Sequence, residues 1–96
     1  MTIDEIKTHG TFMNGPCSNW FSADTMEYWG STLHDCYAGP QPNVTLFITG
    51  EPDFFGNDRR YSIRSYNALT GQIETVSEFR YFATLERARA AIKKYQ

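Results

Sequence analysis

The chain has 96 residues, a formal net charge of −2, 16 % aromatic residues and 21 % charged residues. That length makes a single domain able to bury roughly two thirds of its unfolded surface without a metal or disulfide staple, and the aromatic content excludes a disordered chain. No run approaches the roughly 18 apolar residues of a membrane span, and Met1–Glu5 lacks the basic and apolar regions of a signal peptide, so the expected compartment is the cytoplasm, with Cys17 and Cys36 free rather than paired.

The mean charge hides a split. Residues 1–58 hold eight acids against Lys7, a net of −7, and residues 59–96 hold eight bases against Glu74, Glu78 and Glu86, a net of +5. Either the two signs pair across the folded surface, or the surface is bipolar and one face meets a charged partner.

In chain order, Thr2 and Glu5 fit a capping box for a short helix that Gly10 ends, with Asp4 and Glu5 in its first turn. Ile3 and Ile6 are its only apolar anchors, which predicts a helix that frays or moves on binding. Residues 10–20 lose periodicity around Gly15-Pro16, an irregular segment in which Phe12, Met13 and Trp20 either pack or present an interface. Ser22 and Gly30 punctuate a second short helix over 22–29, with Met26 and Trp29 on its apolar side.

Thr32–Tyr37 predicts a short strand ended by Pro40 and Pro42, and Asn43–Thr49 a central strand apolar on both faces. Glu51–Asp58 then reads as an acidic loop presenting Phe54 and Phe55. Arg59–Phe79 is a β-hairpin whose loop, Asn67–Gly71, needs a left-handed residue that Gly71 supplies. Period two puts Tyr61 and Ile63 on one face and Ser62, Arg64 and Tyr66 on the other, the latter expected beside Glu74, Val76 and Glu78. Thr84 caps a last helix to about Tyr95, with Leu85, Ala88, Ile92 and Tyr95 as its apolar stripe and Arg87, Arg89, Lys93 and Lys94 in water.

These elements specify one α+β domain over 1–96. A three- to four-stranded antiparallel meander carries the C-terminal helix on one face, and short N-terminal helices cover an end or an edge. Leu46, Phe47, Ile48, Ile63, Phe79, Leu85 and Ile92 are the expected core. The chain shows no phosphate loop, nucleophile elbow or zinc-protease helix, and no cofactor is expected. His34 and Cys36, two apart, would share a strand face, but with His9 and Cys17 their spacing fits no common zinc pattern, and they lack the geometry of a Cys-His nucleophilic pair.

Phe21-Ser22, Asp24-Thr25-Met26, Trp29-Gly30-Ser31, Phe47-Ile48-Thr49, Glu51, Arg59 to Arg64, Thr70-Gly71, Ile73 to Val76, Glu78-Phe79 and Ala83-Thr84 together resemble an uncharacterised family of small proteins found on phages, prophages and plasmids. The similarity runs from about Phe21 to Ala88. It implies an accessory gene of a mobile element that blocks a host defence, and it carries no catalytic residues.

Two functions of different class follow. The first is a non-enzymatic, anti-CRISPR-like inhibitor that binds a host defence protein or ribonucleoprotein through Glu51, Asp53, Phe54, Phe55 and Asp58, imitating nucleic-acid phosphates. The second is a small nucleic-acid-binding protein using Arg59, Arg60, Arg64, Tyr66, Arg87, Lys93 and Lys94.

Overall fold

The computed structural model describes residues 3–12, 15–16, 27–28, 31–52 and 58–96. Helix α1 (Ile3–His9) carries Asp4 and Glu5 in its first turn, and the Gly10 amide closes it on the Ile6 carbonyl at 2.7 Å. A two-residue ladder joins β1 (Thr11–Phe12) to β2 (Gly15–Pro16). The main sheet is antiparallel, with five strands in chain order: β3 (Glu27–Tyr28), β4 (Ser31–Ala38), β5 (Val44–Pro52), β6 (Arg59–Asn67) and β7 (Ile73–Thr75). Helix α2 (Leu85–Ala91) runs into a 3-10 turn at Ile92–Lys94. This is the α+β meander that the sequence predicts, with the C-terminal helix on one face.

Strand β5 is apolar on both sides because both sides are covered. One face packs Leu33, Phe47, Tyr66 and Ile73 against Ile6 of α1. The other packs Leu46, Ile48 and Ile63 against Phe82, Ala88, Ala91 and Ile92. The Thr84 hydroxyl accepts the Arg87 amide at 3.2 Å and so starts α2 as expected. Ile6 is fully buried in the centre of its cluster, with Ile3 packed against it, and these side chains anchor α1.

Four local expectations are corrected. The helix over 22–29 lies mostly outside the described residues, but Glu27 and Tyr28 are strand, paired with Thr32 and Ser31; the open edge of β4 offers backbone partners that two turns of isolated helix do not. In β4 a bulge at Asp35, whose φ is 44°, shifts the register so that His34 opposes Ile48 and Cys36 opposes Phe47. The extra residue reverses the pleat, and His34 and Cys36 therefore lie on opposite faces.

The hairpin has its left-handed glycine, Gly71 at φ 77°, but Tyr66 pairs with Ile73 and Arg64 with Thr75. Arg64 and Tyr66 thus share a face with Ile73 and Thr75 rather than with Glu74, Val76 and Glu78. Strand β7 also ends early, at Thr75. The Val76 amide still donates to the Ile63 carbonyl at 2.9 Å, but the Ile63 amide is accepted by the Ser77 hydroxyl at 2.9 Å in place of the Val76 carbonyl. The chain leaves the sheet there, so Phe79, expected in the core, is 63 % exposed. Phe82 takes its place, 8 % exposed and bridged to Tyr61 by two backbone hydrogen bonds of 2.8 and 3.0 Å.

Candidate interaction surface

The charged residues closest to the sheet centre are structural. Register places Thr49, Glu51, Ser62, Arg64 and Thr75 on one face of β5, β6 and β7. The Arg64 guanidinium donates to Glu51 Oε1 at 2.8 Å, to Thr49 Oγ1 at 3.0 Å and to Thr75 Oγ1. Thr49 Oγ1 donates to Glu51 Oε1 at 2.5 Å and Ser62 Oγ to Glu51 Oε2 at 3.2 Å, so both carboxylate oxygens are engaged. The two charged side chains are 6 % and 9 % exposed. The sequence assigns Glu51 and Arg64 to two alternative contact surfaces; they are instead partners of one another, because adjacent strands of the meander bring the acidic and basic halves of the chain together. Tyr66 is likewise a core residue, 3 % exposed.

This cluster runs outward into a tight corner. Ser62 Oγ also accepts the Arg80 amide at 2.7 Å. The Tyr81 amide donates to the Glu78 carbonyl at 3.2 Å, closing a turn whose third residue, Arg80, has φ 56°. That position suits glycine, and a longer side chain there costs about 1 kcal/mol or more. Arg60 clamps the corner, its Nε on the Arg80 carbonyl and a terminal nitrogen on the Tyr81 carbonyl, both at 2.8 Å. The Arg80 guanidinium donates to the Asp58 carbonyl at 3.1 Å and stands 3.9 Å from the Asp58 carboxylate. Its Nε is shut from water and has no acceptor.

On either side of Arg80 stand two aromatic rings in water, Phe79 at 63 % and Tyr81 at 59 % exposed. The Arg64 guanidinium carbon lies 5.6 Å from the Phe79 ring centre and supports its inner side. Tyr81 meets Phe82 edge-on with centres 5.0 Å apart. Next to Tyr81 is a groove of ≈ 270 Å³ lined by Glu78, Tyr81, Phe82, Ala91, Lys94 and Tyr95. Two exposed rings and adjacent cations on a hydrogen-bonded corner are side chains of the types that contribute most where proteins make contacts.

A second charged cluster ties α2 to β4. The Arg89 Nε donates to Asp35 Oδ2 at 2.6 Å, and the Tyr37 hydroxyl donates to the same oxygen at 3.0 Å. The Arg89 hydrogen bond, helped by that of Tyr37, holds the Asp35 carboxyl below its ordinary value. Burial lowers His34, with Arg89 and Arg59 adding to the effect and Asp35 opposing it. Each group takes up protons less readily in the folded state than in the unfolded one. Stability is therefore full above the unfolded values and declines as the pH falls from them toward the folded ones. The urea midpoint is expected to fall in two stages on acidification, below about pH 6.5 for His34 and below about pH 3.8 for Asp35; His34→Gln should abolish the first stage only, and a midpoint flat across pH 5–7 in the wild type would contradict this.

An open cleft of ≈ 610 Å³ lies at the β4–β5 turn, where Cys36 and Tyr37 meet Gly39, Pro40, Gln41 and Pro42. Burial pushes the Cys36 thiol up, which disfavours the reactive thiolate. Among the described residues no group of three or more histidines, cysteines or acids is placed to hold a metal.

Of the acidic set expected to bind a partner, Glu51 is buried, Asp58 is exposed beside Arg80, and Asp53, Phe54 and Phe55 lie outside the described residues. Of the basic set, Arg64 and Tyr66 are buried. Arg59 is half-buried with a terminal nitrogen 2.8 Å from the Gly50 carbonyl, Arg60 is half-buried on the corner, and Arg87, Lys93 and Lys94 are exposed on α2 and its 3-10 turn. Phe79, Arg80 and Tyr81 were not singled out from the sequence as a contact. The signal for them was the run Phe79-Arg80-Tyr81-Phe82, too crowded with large side chains for all to be buried from one short segment.

Among the described residues no helix is long and apolar enough to cross a membrane. The chain has no match among the curated proteins or the solved structures. Residues 2–93 match a family of unknown function (DUF7447), and the chain belongs to that family.

Proposed function

We propose that this protein is a non-enzymatic binding protein which inhibits a host defence complex, such as a CRISPR effector, in the cytoplasm of a bacterial cell. The observation that supports binding is the Phe79-Arg80-Tyr81 corner, where two large aromatic rings are held in water by a strained backbone. A corner that served only the fold would place glycine at position 80 and turn the rings inward. The defence target rests on the resemblance to proteins of mobile elements.

The contact differs from the acidic loop alone, because Glu51 is committed to Arg64. Tagged protein mixed with purified CRISPR effector complexes is expected to retain one of them and to suppress its cleavage of target nucleic acid. Paired Phe79→Ala and Tyr81→Ala substitutions should lower retention at least tenfold, since hot-spot aromatics contribute about 2 kcal/mol or more each. Retention unchanged by that pair would remove the corner from the interface.

A second role, direct binding of nucleic acid without a protein target, is favoured by the outward-facing Arg87, Lys93 and Lys94 together with Arg59 and Arg60. Strong salt dependence of binding to free DNA or RNA distinguishes it.

A further inference from the structure

We propose that the rings of Phe79 and Tyr81 form a stacking platform for the bases of a single-stranded nucleic acid, with Arg80 between them and Lys94 beside them set against its phosphates. This deepens the binding role proposed above, since it names what part of a target meets the corner.

Three features carry it. The rings flank one cation in sequence, and both are more than half exposed, so flat π surfaces alternate with positive charge as bases alternate with phosphates along a strand. Arg80 occupies a left-handed turn position while its side chain adds little to the fold: it makes one hydrogen bond to the Asp58 carbonyl and a loose 3.9 Å pair with the Asp58 carboxylate, and its Nε has no acceptor. The terminal nitrogens of an arginine kept at such a cost hold only the Asp58 carbonyl and that loose pair, and they are suited to an incoming anion. The surroundings favour that anion: Arg60, Arg80 and Lys94 outnumber Glu78 and Asp58 at the corner, and Arg87 on α2 and Lys93 on its 3-10 turn outnumber Glu86.

A duplex is a poor occupant because its bases are stacked on each other and give the rings no free face. An acidic peptide would satisfy the cations yet leave both rings without a planar partner. Single-stranded nucleic acid uses rings and cations together.

The test is fluorescence anisotropy with a labelled oligouridylate of about 12 nucleotides, within the span that small single-strand binders cover, over a salt series from about 50 to 200 mM. The wild type should bind it saturably and in preference to a duplex of equal length. Phe79→Ala and Tyr81→Ala should each weaken binding about tenfold with the salt slope kept, and Tyr81→Trp should restore it. Arg80→Gly should weaken binding and reduce the salt slope by about one, whereas Asp58→Asn, which removes the competing carboxylate, should tighten it. Unchanged thermal melts for the two exposed-ring variants verify that the fold is intact.

No binding of the oligonucleotide, equal binding by the alanine variants, preference for duplex, or binding of polyglutamate in its place would each overturn the platform. Capture of a defence complex that survives in such a case leaves the broader binding role standing; loss of oligonucleotide binding and of capture together removes both.

Discussion

Replacing Glu51 with alanine is expected to destabilise the protein by about 3–5 kcal/mol, because it removes the carboxylate that faces the buried Arg64 guanidinium at 2.8 Å. A chain of this length has a total stability of roughly 5–14 kcal/mol, so the variant is expected to be marginal at room temperature. Glu51 Oε1 receives both Arg64 and Thr49 and Oε2 receives Ser62, so one truncation leaves three buried donors short of an acceptor. The loss should show as a lower urea midpoint with the slope of the transition kept. Glu51→Met combined with Arg64→Leu should recover most of it, since a buried ion pair replaced by apolar groups of similar volume is often neutral. A cost below about 1 kcal/mol for the single change, the range of exposed pairs, would mean that Arg64 reaches water in solution.

The second large effect is expected at Ile6. Ile6→Ala should cost about 2–5 kcal/mol, as for other fully buried aliphatic side chains, although α1 has only seven residues and little stability of its own. Ile6 has no exposed surface and sits among Leu33, Phe47, Tyr66 and Ile73. The helix is also seated at its C-terminal end, where a Cβ on Gly71 would stand 3.1 Å from the His9 carbonyl oxygen. Ile3→Ala, at a half-buried position, should cost distinctly less. Thermal melts of the two variants separate the cases; equal and small shifts would mean that α1 is detached in solution.

Much of the fold could be read from residue pattern. The two-sided apolar run of β5, the Thr84 cap and stripe of α2, and the left-handed Gly71 each depend on local chemistry that sequence displays directly. What pattern did not show was parity and commitment. The Asn67 amide bonds the Gln72 carbonyl at 2.9 Å, and the Gly71 amide returns to the Asn67 carbonyl at 2.7 Å. That loop makes Tyr66 face Ile73, and a change of one residue in loop length reverses every neighbour across the hairpin. The bulge at Asp35 altered face assignments in β4 for the same reason, since an inserted residue leaves no compositional trace.

Glu51 and Arg64 read as surface groups in the sequence because a charged residue looks exposed until its partner is known. Glu51 and Arg64 are thirteen positions apart in sequence and 2.8 Å apart in space. The early end of β7 rests on Ser77, an ordinary polar residue whose hydroxyl happens to replace a backbone group. Period two carried past that strand end places Phe79 in the core, whereas the ring stands in the corner beyond it.

Strand order in the main sheet follows chain order from β3 to β7 without a crossover, so each strand finds its neighbour in the segment made next. Assembly can advance one hairpin at a time, with short closures that favour fast folding. The packing of Ile6 on Tyr66 and Ile73 breaks that economy, because it joins the first helix to the last hairpin across some sixty positions. Closing this loop has to wait until its platform exists, so α1 docking is expected to be a late step, with the N-terminal helix outside the folding nucleus.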